Sequence, residues 1–392
     1  MSARRALLAV SGAIIAGAVL VAGCVSGTGH AAAGRGSPHR PALIVYAAAA
    51  ATPEFELVAV GPGPQGGSGV QLIAATATGT GAHAVSPPVP ADQSPDSLFA
   101  LDRDHFWFTT FSDGGGSETL YRTTDGGRHW LSTPVPSHSL ASGTDSLQFV
   151  SADDGWLADI SPTGPVEGLY RTTDGGASWH PVARLNAPSP ATSSLPRLGL
   201  VTFAPGAALG WLAGPSGPAP LPYAGTLDVS RDQGQTWRAT GLPAAQGDIV
   251  GGPALFGTTL IVPVVRCAGG ATELRTYLST NIGTAWSLVS AQTVATGCQQ
   301  VATAFPSVSA GWAAILSSGQ VRVLRTTDHG QHWAALPVPR LRTSFPPAIV
   351  AMNASHAWLL VAGLDVNGSR IYATADAGRS WHRIDQSITA AR

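Results

Sequence analysis

The sequence predicts an all-β protein assembled from a repeated unit of four short antiparallel strands. Three observations carry this expectation. An eight-residue pattern, Thr/Ser-x-Asp/Asn-x-Gly-x-x-Trp, occurs six times in 392 residues. Its third position recurs at intervals of 49, 58, 49, 47 and 48 residues. Between copies, apolar and polar residues alternate in short runs, the period of a half-buried strand. Composition agrees. With 47 Gly and 30 Pro, a helical bundle is excluded. A hydrophobic share of 44% and eleven Trp exclude a disordered chain. All 22 basic residues are Arg, balanced by 23 acidic ones. That balance excludes a nucleic-acid binder working by phosphate neutralisation.

Residues 1–23 precede the repeats and read as an export signal. Arg4 and Arg5 form a basic start, residues 6–21 are uncharged and mostly apolar, and small residues Ala22 and Gly23 stand before Cys24. The segment resembles a bacterial lipoprotein lipobox. The resemblance implies cleavage after Gly23 and lipidation of Cys24, with acyl chains partitioning into the bilayer at about 0.8 kcal/mol per buried CH₂. Residues 24–41, rich in Gly, Ala, Ser and Pro, read as a flexible tether. The folded domain is expected over residues 42–386, with a short tail at 387–392. The location implied is the outer face of a bacterial cytoplasmic membrane.

The six octads begin at Thr123, Thr172, Ser230, Ser279, Thr326 and Thr374. Their signature residues are Asp125, Gly127 and Trp130; Asp174, Gly176 and Trp179; Asp232, Gly234 and Trp237; Asn281, Gly283 and Trp286; Asp328, Gly330 and Trp333; and Asp376, Gly378 and Trp381. A carboxylate on a tight turn accepts hydrogen bonds from the backbone N–H groups that follow it. The Gly supplies a position with φ > 0. The Trp opens the next strand and packs against the adjacent sheet.

This octad resembles the Asp-box, the bacterial neuraminidase repeat, from about Asp96 to the end of the chain. The resemblance implies a β-propeller with one box per blade. The period fits the 40–50 residues that four short strands occupy. Upstream of the first box, strand-like runs span residues 43–46, 55–60 and 70–75, and Gly79, Gly81 and Ala84 stand where Asp, Gly and Trp would stand. This reads as a degenerate blade, for a seven-bladed β-propeller of four-stranded antiparallel blades; the alternative is six blades and an N-terminal extension.

A second pattern places Trp107, Trp156, Trp211, Trp312 and Trp358 at 16–21 residues before the following box Asp, with Leu260 in the equivalent place of the Asn281 unit. Tyr121, Tyr170, Tyr277 and Tyr372 each lie four before a box residue, and Arg122, Arg171 and Arg325 three before. These aromatic and Arg residues read as repeat core. His129, His329 and His332 read as solvated turn residues.

Export favours pairing of Cys267 with Cys298, and propeller topology places both on the rim opposite the boxes. That face is where binding is expected, since loops on a rigid scaffold carry function. Glu118, Glu167, Tyr223, Arg266 and Asp365 are its candidate residues. No metal or cofactor motif is present, and no catalytic residue stands out. The expected function is a non-catalytic, monomeric binding or scaffolding module for a protein or a cell-surface glycan. The alternative is a sialidase-like or other glycoside hydrolase. A sialidase would need three Arg, a Tyr–Glu pair and an Asp acid/base; another glycosidase needs a carboxylate pair about 5–9.5 Å apart.

Overall fold

A computed structural model gives the fold. It describes residues 43–52, 55–62, 71–90, 93–112, 118–136, 146–160, 166–183, 201–204, 210–216, 224–245, 247–343, 346–361 and 370–385. Among these, every regular element is a β-strand, and the strands form seven antiparallel sheets.

Each sheet takes its strands consecutively along the chain. The first holds Leu43–Thr52, Phe55–Pro62, Gln71–Ala75 and His83–Ala84. The second holds Gln93–Ala100, Phe106–Ser112, Thr119–Thr123 and Leu131–Pro134. The third holds Ser146–Phe149, Gly155–Ile160, Val166–Thr172 and His180–Ala183. The fourth holds Val201–Phe203, Gly210–Ser216, Ala224–Ser230 and Arg238–Ala239. The sixth holds Val301–Ala304, Gly311–Ser317, Gln320–Thr326 and Ala334–Ala335. The seventh holds Ala348–Ala351, Ala357–Val361, Arg370–Thr374 and His382–Arg383. The upstream stretch, where the box residues are replaced by Gly79, Gly81 and Ala84, therefore builds a complete sheet.

The fifth sheet departs from the expected four strands. Ile249–Val250 and Ala254–Phe256 both pair with Thr259–Ala268, which continues to Ala271–Ser279 and Ser287–Thr296. The edge is split around Pro253 and opposite Pro263, neither of which has an amide hydrogen to give. Gly251 N donates to Pro263 O (2.8 Å) at the break.

Apolar side chains fill the spaces between successive sheets. Phe106 and Leu72 meet between the first and second, Trp107 and Phe149 between the second and third, and Leu227 and Tyr277 between the fourth and fifth. Leu274 and Ile315 meet between the fifth and sixth, and Trp312 and Leu359 between the sixth and seventh. The third and fourth are joined by Gln148, whose amide both donates to Phe203 O (2.8 Å) and accepts from Phe203 N (2.7 Å). The seventh returns to the first: Trp358, Leu360 and Ile371 share one cluster with Ile73 and Ala75. The ring is closed, and the fold is a β-propeller.

Register corrects one assignment. Trp107, Trp156 and Trp312 pair with Arg122, Arg171 and Arg325 across the second and third strands of their sheets. In the fifth sheet the residue paired three before the box is Ile261, opposite Leu278, not Leu260. One residue of slip changes the face. Ile261 packs toward the sixth sheet, as a Trp at that place packs toward the following sheet, whereas Leu260 packs toward the fourth.

Candidate functional site

The six octads share one hydrogen-bonded turn. In the third sheet, Thr172 Oγ1 donates to Asp174 Oδ1 (2.7 Å) and accepts from Gly176 N (2.8 Å). Ser178 N donates to the same Oδ1 (2.9 Å), and Ser178 Oγ to Oδ2 (2.6 Å). In all six turns the Gly N reaches the first-position hydroxyl at 2.7–2.9 Å. The N–H four residues after the Asp or Asn reaches its Oδ1 at 2.9–3.0 Å. The hydroxyl's double role was not legible from the pattern.

The turn needs two successive left-handed residues. Gly176 is at φ 93°, and a Cβ there would run into Leu120 Cδ2, so the backbone demands glycine and the space is closed to a side chain. The preceding position accepts other residues at the same sign of φ, as at Gln233 (64°) and Ala377 (64°).

The Asn281 turn explains itself. Wherever an Asp stands, the residue four later carries a side-chain donor for Oδ2: His129, Ser178, Thr236, His332 or Ser380. Asn has its own N–H₂ at that place, and the residue four later is Ala285, which offers only its backbone N–H. The acidic groups are held ionised. A backbone hydrogen bond from His129, followed by its ring, lowers Asp125 to about 2. The Ser380 hydroxyl and N–H do the same for Asp376, to about 2.

Four second-strand indoles each fasten their sheet to the next. Trp107 Nε1 donates to Gly175 O (2.9 Å), and Trp156 Nε1 to Gln233 O (3.2 Å), both in the octad turn of the following sheet. Trp312 Nε1 donates to Asn353 O (3.3 Å) and Trp358 Nε1 to Ala77 O (2.7 Å), the latter closing the ring. The paired Arg work beside them. Arg122 Nη1 donates to Asp174 O, and Arg171 donates to Gln233 Oε1 (2.7 Å) while lying 5.4 Å over Trp156. Trp107 also stacks on Phe149 at 3.7 Å, and Trp156 on Phe203 at 3.9 Å. The expectation that these residues are repeat core rather than a ligand cage is met at these positions.

The residues expected on the opposite face fare differently. Glu118 is buried at 2% exposure, directly before the third strand of the second sheet, so it is not a loop-surface group. Arg266 lies inside a strand and is held by Asp248 through Nε (2.7 Å) and Nη2 (2.6 Å). Asp248 is 1% exposed, so this bidentate pair fixes the sheet edge and does not await a ligand. The connection beyond Arg266 is only the Gly269–Gly270 turn between two long strands. Glu167 lies within Val166–Thr172. Tyr223, Asp365 and Cys24 fall outside the described residues, as do the signal segment and the tether.

Cys267 and Cys298 form a disulfide with Cα atoms 5.3 Å apart. Cys267 stands near the end of its strand, in a hairpin longer than its neighbours. The bond ties this hairpin to the link into the sixth sheet. Gly297 N donates to Gly270 O (2.7 Å) and Gln299 N to Thr272 Oγ1 (2.8 Å) alongside it.

Two sites were missed by sequence reasoning. The first is a cleft of about 590 Å³ between the first and second sheets, on the side of the octad turns. Phe55 and Thr76 line one wall, Asp125, Gly126 and Gly127 the other, and Asp102 and Asp104 stand at its rim. The second is Asp228. It occupies the position four before the box, where four other units have Tyr. It is 9% exposed, and burial raises its carboxyl to about 6. Among the described residues its carboxylate has no hydrogen-bond partner. The signal for both was in the sequence, as departures from the repeat at positions where the other units agree.

No family model matches the chain, and no characterised protein matches it in sequence. Solved structures share the fold at low identity. A prolyl oligopeptidase B from Galerina marginata, bound to a 25mer macrocyclization substrate, is 11% identical with a TM-score of 0.58, over 88% of this chain and 51% of that one. A polysaccharide lyase, a PL25 ulvan lyase bound to -[GlcA(1-4)Rha3S]-, is 10% identical with a TM-score of 0.51, over 90% and 96%. YCF48 bound to a D1 peptide is 18% identical with a TM-score of 0.49, over 77% and 84%. This chain spans about half the length of the prolyl oligopeptidases it resembles.

Proposed function

We propose that the chain is a seven-bladed Asp-box propeller, lipid-anchored through Cys24 on the outer face of a bacterial cytoplasmic membrane. There it holds a partner protein or cell-surface glycan without catalysis. One observation carries the non-catalytic reading: the charged groups that recur with the repeat are committed to the scaffold. The octad carboxylates accept turn hydrogen bonds. Arg122, Arg171 and Arg325 reach across to the next sheet, and Arg266 is locked to a buried Asp248. What remains is a rigid ring presenting loops, the usual architecture of a binding scaffold.

The anchor is tested by fractionation. The Cys24→Ser protein should leave the membrane fraction and appear soluble; retention in the membrane would remove the lipoprotein reading. The binding role is tested with protein from Ala42 onward, on a glycan array and in pull-downs from surface extracts. Turnover of sialosides or wall glycans by the purified protein would instead establish the hydrolase reading.

A further inference from the structure

The cleft between the first and second sheets is the volume that a Trp and an Arg fill elsewhere in the same ring. Register makes the equivalence specific. Glu56 pairs with Ala75, so Phe55 lies opposite Thr76. Thr76 stands three before Gly79, the degenerate box position, as Arg122 stands three before Asp125. Phe55 therefore occupies the place of Trp107, Trp156, Trp312 and Trp358, and Thr76 the place of Arg122, Arg171 and Arg325. Both are shorter, and neither carries an N–H donor on its side chain.

The consequence is seen on the facing turn. In the third sheet, Asp174 O accepts from Arg122 and Gly175 O from the Trp107 indole, and Gly175 is buried. The corresponding carbonyls in the second sheet belong to Asp125 and Gly126. Among the described residues no group donates to either, and Gly126 is partly exposed where Gly175 is buried. Phe55 turns instead to Phe106, ring centroids 5.6 Å apart, and leaves its flank to the cleft. The charge around the opening favours a cation. Asp102, Asp104 and Asp125 line it with Arg103 and Arg128; Asp125 is engaged by its own turn and Asp102 by His105, which leaves Asp104 as the carboxylate open to a guest. Arg103 is 79% exposed and only loosely paired with Asp104, at 3.9 Å, so it does not close the site.

We infer that this cleft binds an Arg side chain with a neighbouring aromatic residue, presented by a partner polypeptide, which completes the missing Trp–Arg clamp in trans. The guanidinium donates to the Asp125 and Gly126 carbonyls with its charge balanced by Asp104 at the rim. The aromatic ring covers Phe55. A planar cation with several in-plane donors suits such an array better than a point charge does. Two adjacent side chains also match the size of the cleft, since two adjacent side chains occupy the equivalent space elsewhere. The inference deepens the reading of the chain as a protein-binding scaffold. It places the contact on the octad side of the ring, not on the opposite loop face.

The test titrates the purified protein with N-acetyl-Trp-Arg-amide and, separately, with argininamide, by calorimetry. Saturable binding of the dipeptide is expected, with argininamide at least tenfold weaker. Thr76→Arg should restore the internal clamp, weaken dipeptide binding at least tenfold and leave the Tm unchanged or higher. Should that variant fail to fold, Phe55→Trp tests the same point by filling the cleft from its apolar side. Absence of saturable dipeptide binding, or equal binding to the wild type and the filled variant, would overturn the inference. Argininamide binding as tightly as the dipeptide would overturn the polypeptide partner in favour of a small-molecule site. Membrane retention through Cys24 and glycan binding do not depend on this cleft, so failure here leaves those tests standing.

Discussion

Asp228→Asn should change how stability depends on pH, and the size of the change follows from burial. The wild-type carboxyl sits at about 6 in the folded protein against an ordinary 3.8, because burial disfavours its charge. A carboxyl whose folded value is raised binds its proton more tightly in the native state. The native state is therefore favoured at low pH, and this contribution fades as pH rises from the unfolded value through the folded one. A difference of roughly two units at 1.36 kcal/mol each gives about 3 kcal/mol lost between pH 4 and pH 7. The Asn variant has no proton to lose, so its stability should lack this term. Urea unfolding of both proteins at intervals from pH 4 to pH 7.5 measures the difference. Asn remains polar and buried, so the gap at one pH mixes several effects; the change of that gap with pH isolates the ionisation. Parallel pH profiles for the two proteins would refute the argument. Asp228→Tyr, which restores the residue found at this position in four other units, should remove the same dependence.

Three further outcomes follow from the scaffold. The Asp carboxyls of the octads act with the opposite sign: held near 2 in the fold at Asp125, Asp328 and Asp376, they contribute stability that is complete above about pH 4 and lost as pH falls through 2, so acid unfolding monitored by Trp fluorescence should be steep below pH 3. Replacing Thr172 by Val leaves Gly176 N and Asp174 Oδ1 without their shared hydroxyl, and should cost about 2 kcal/mol in denaturant unfolding; an effect under about 0.5 kcal/mol would mean that the hydroxyl is dispensable. Cys267→Ser with Cys298→Ser opens a loop of 31 residues separation and should lower stability by about 3–4 kcal/mol in the loop-entropy account; equal Tm values for the wild type with and without reductant would contradict it.

Much of the fold was legible because the repeat repeats. The octad fixes a turn chemically, and its period fixes the strand count between turns. In the third sheet the four short strands expected of one unit are found at Ser146–Phe149, Gly155–Ile160, Val166–Thr172 and His180–Ala183. Where repetition lapses, reading from spacing fails. Leu260 was one residue out because its unit has no Trp to mark the face, and only cross-strand register shows Ile261 in that place. The split edge of the fifth sheet falls where Pro263 stands opposite the break, which linear sequence does not reveal. Glu118 and Arg266 were placed on a loop face because charged residues near turns read as exposed. Glu118 is buried instead, and Arg266 is bound to a carboxylate eighteen residues away. The cleft escaped notice for a related reason: it is made by what two positions lack.

The indole bond from Trp358 to Ala77 spans 281 residues of sequence. A chain delivered amino end first would leave one face of its opening sheet uncovered until nearly all the rest had emerged, so completion of the circle is a late event in its maturation. The same latch makes the order of the sheets cyclic. New termini cut between any neighbouring pair, with the old ones joined, would leave every contact between neighbours intact.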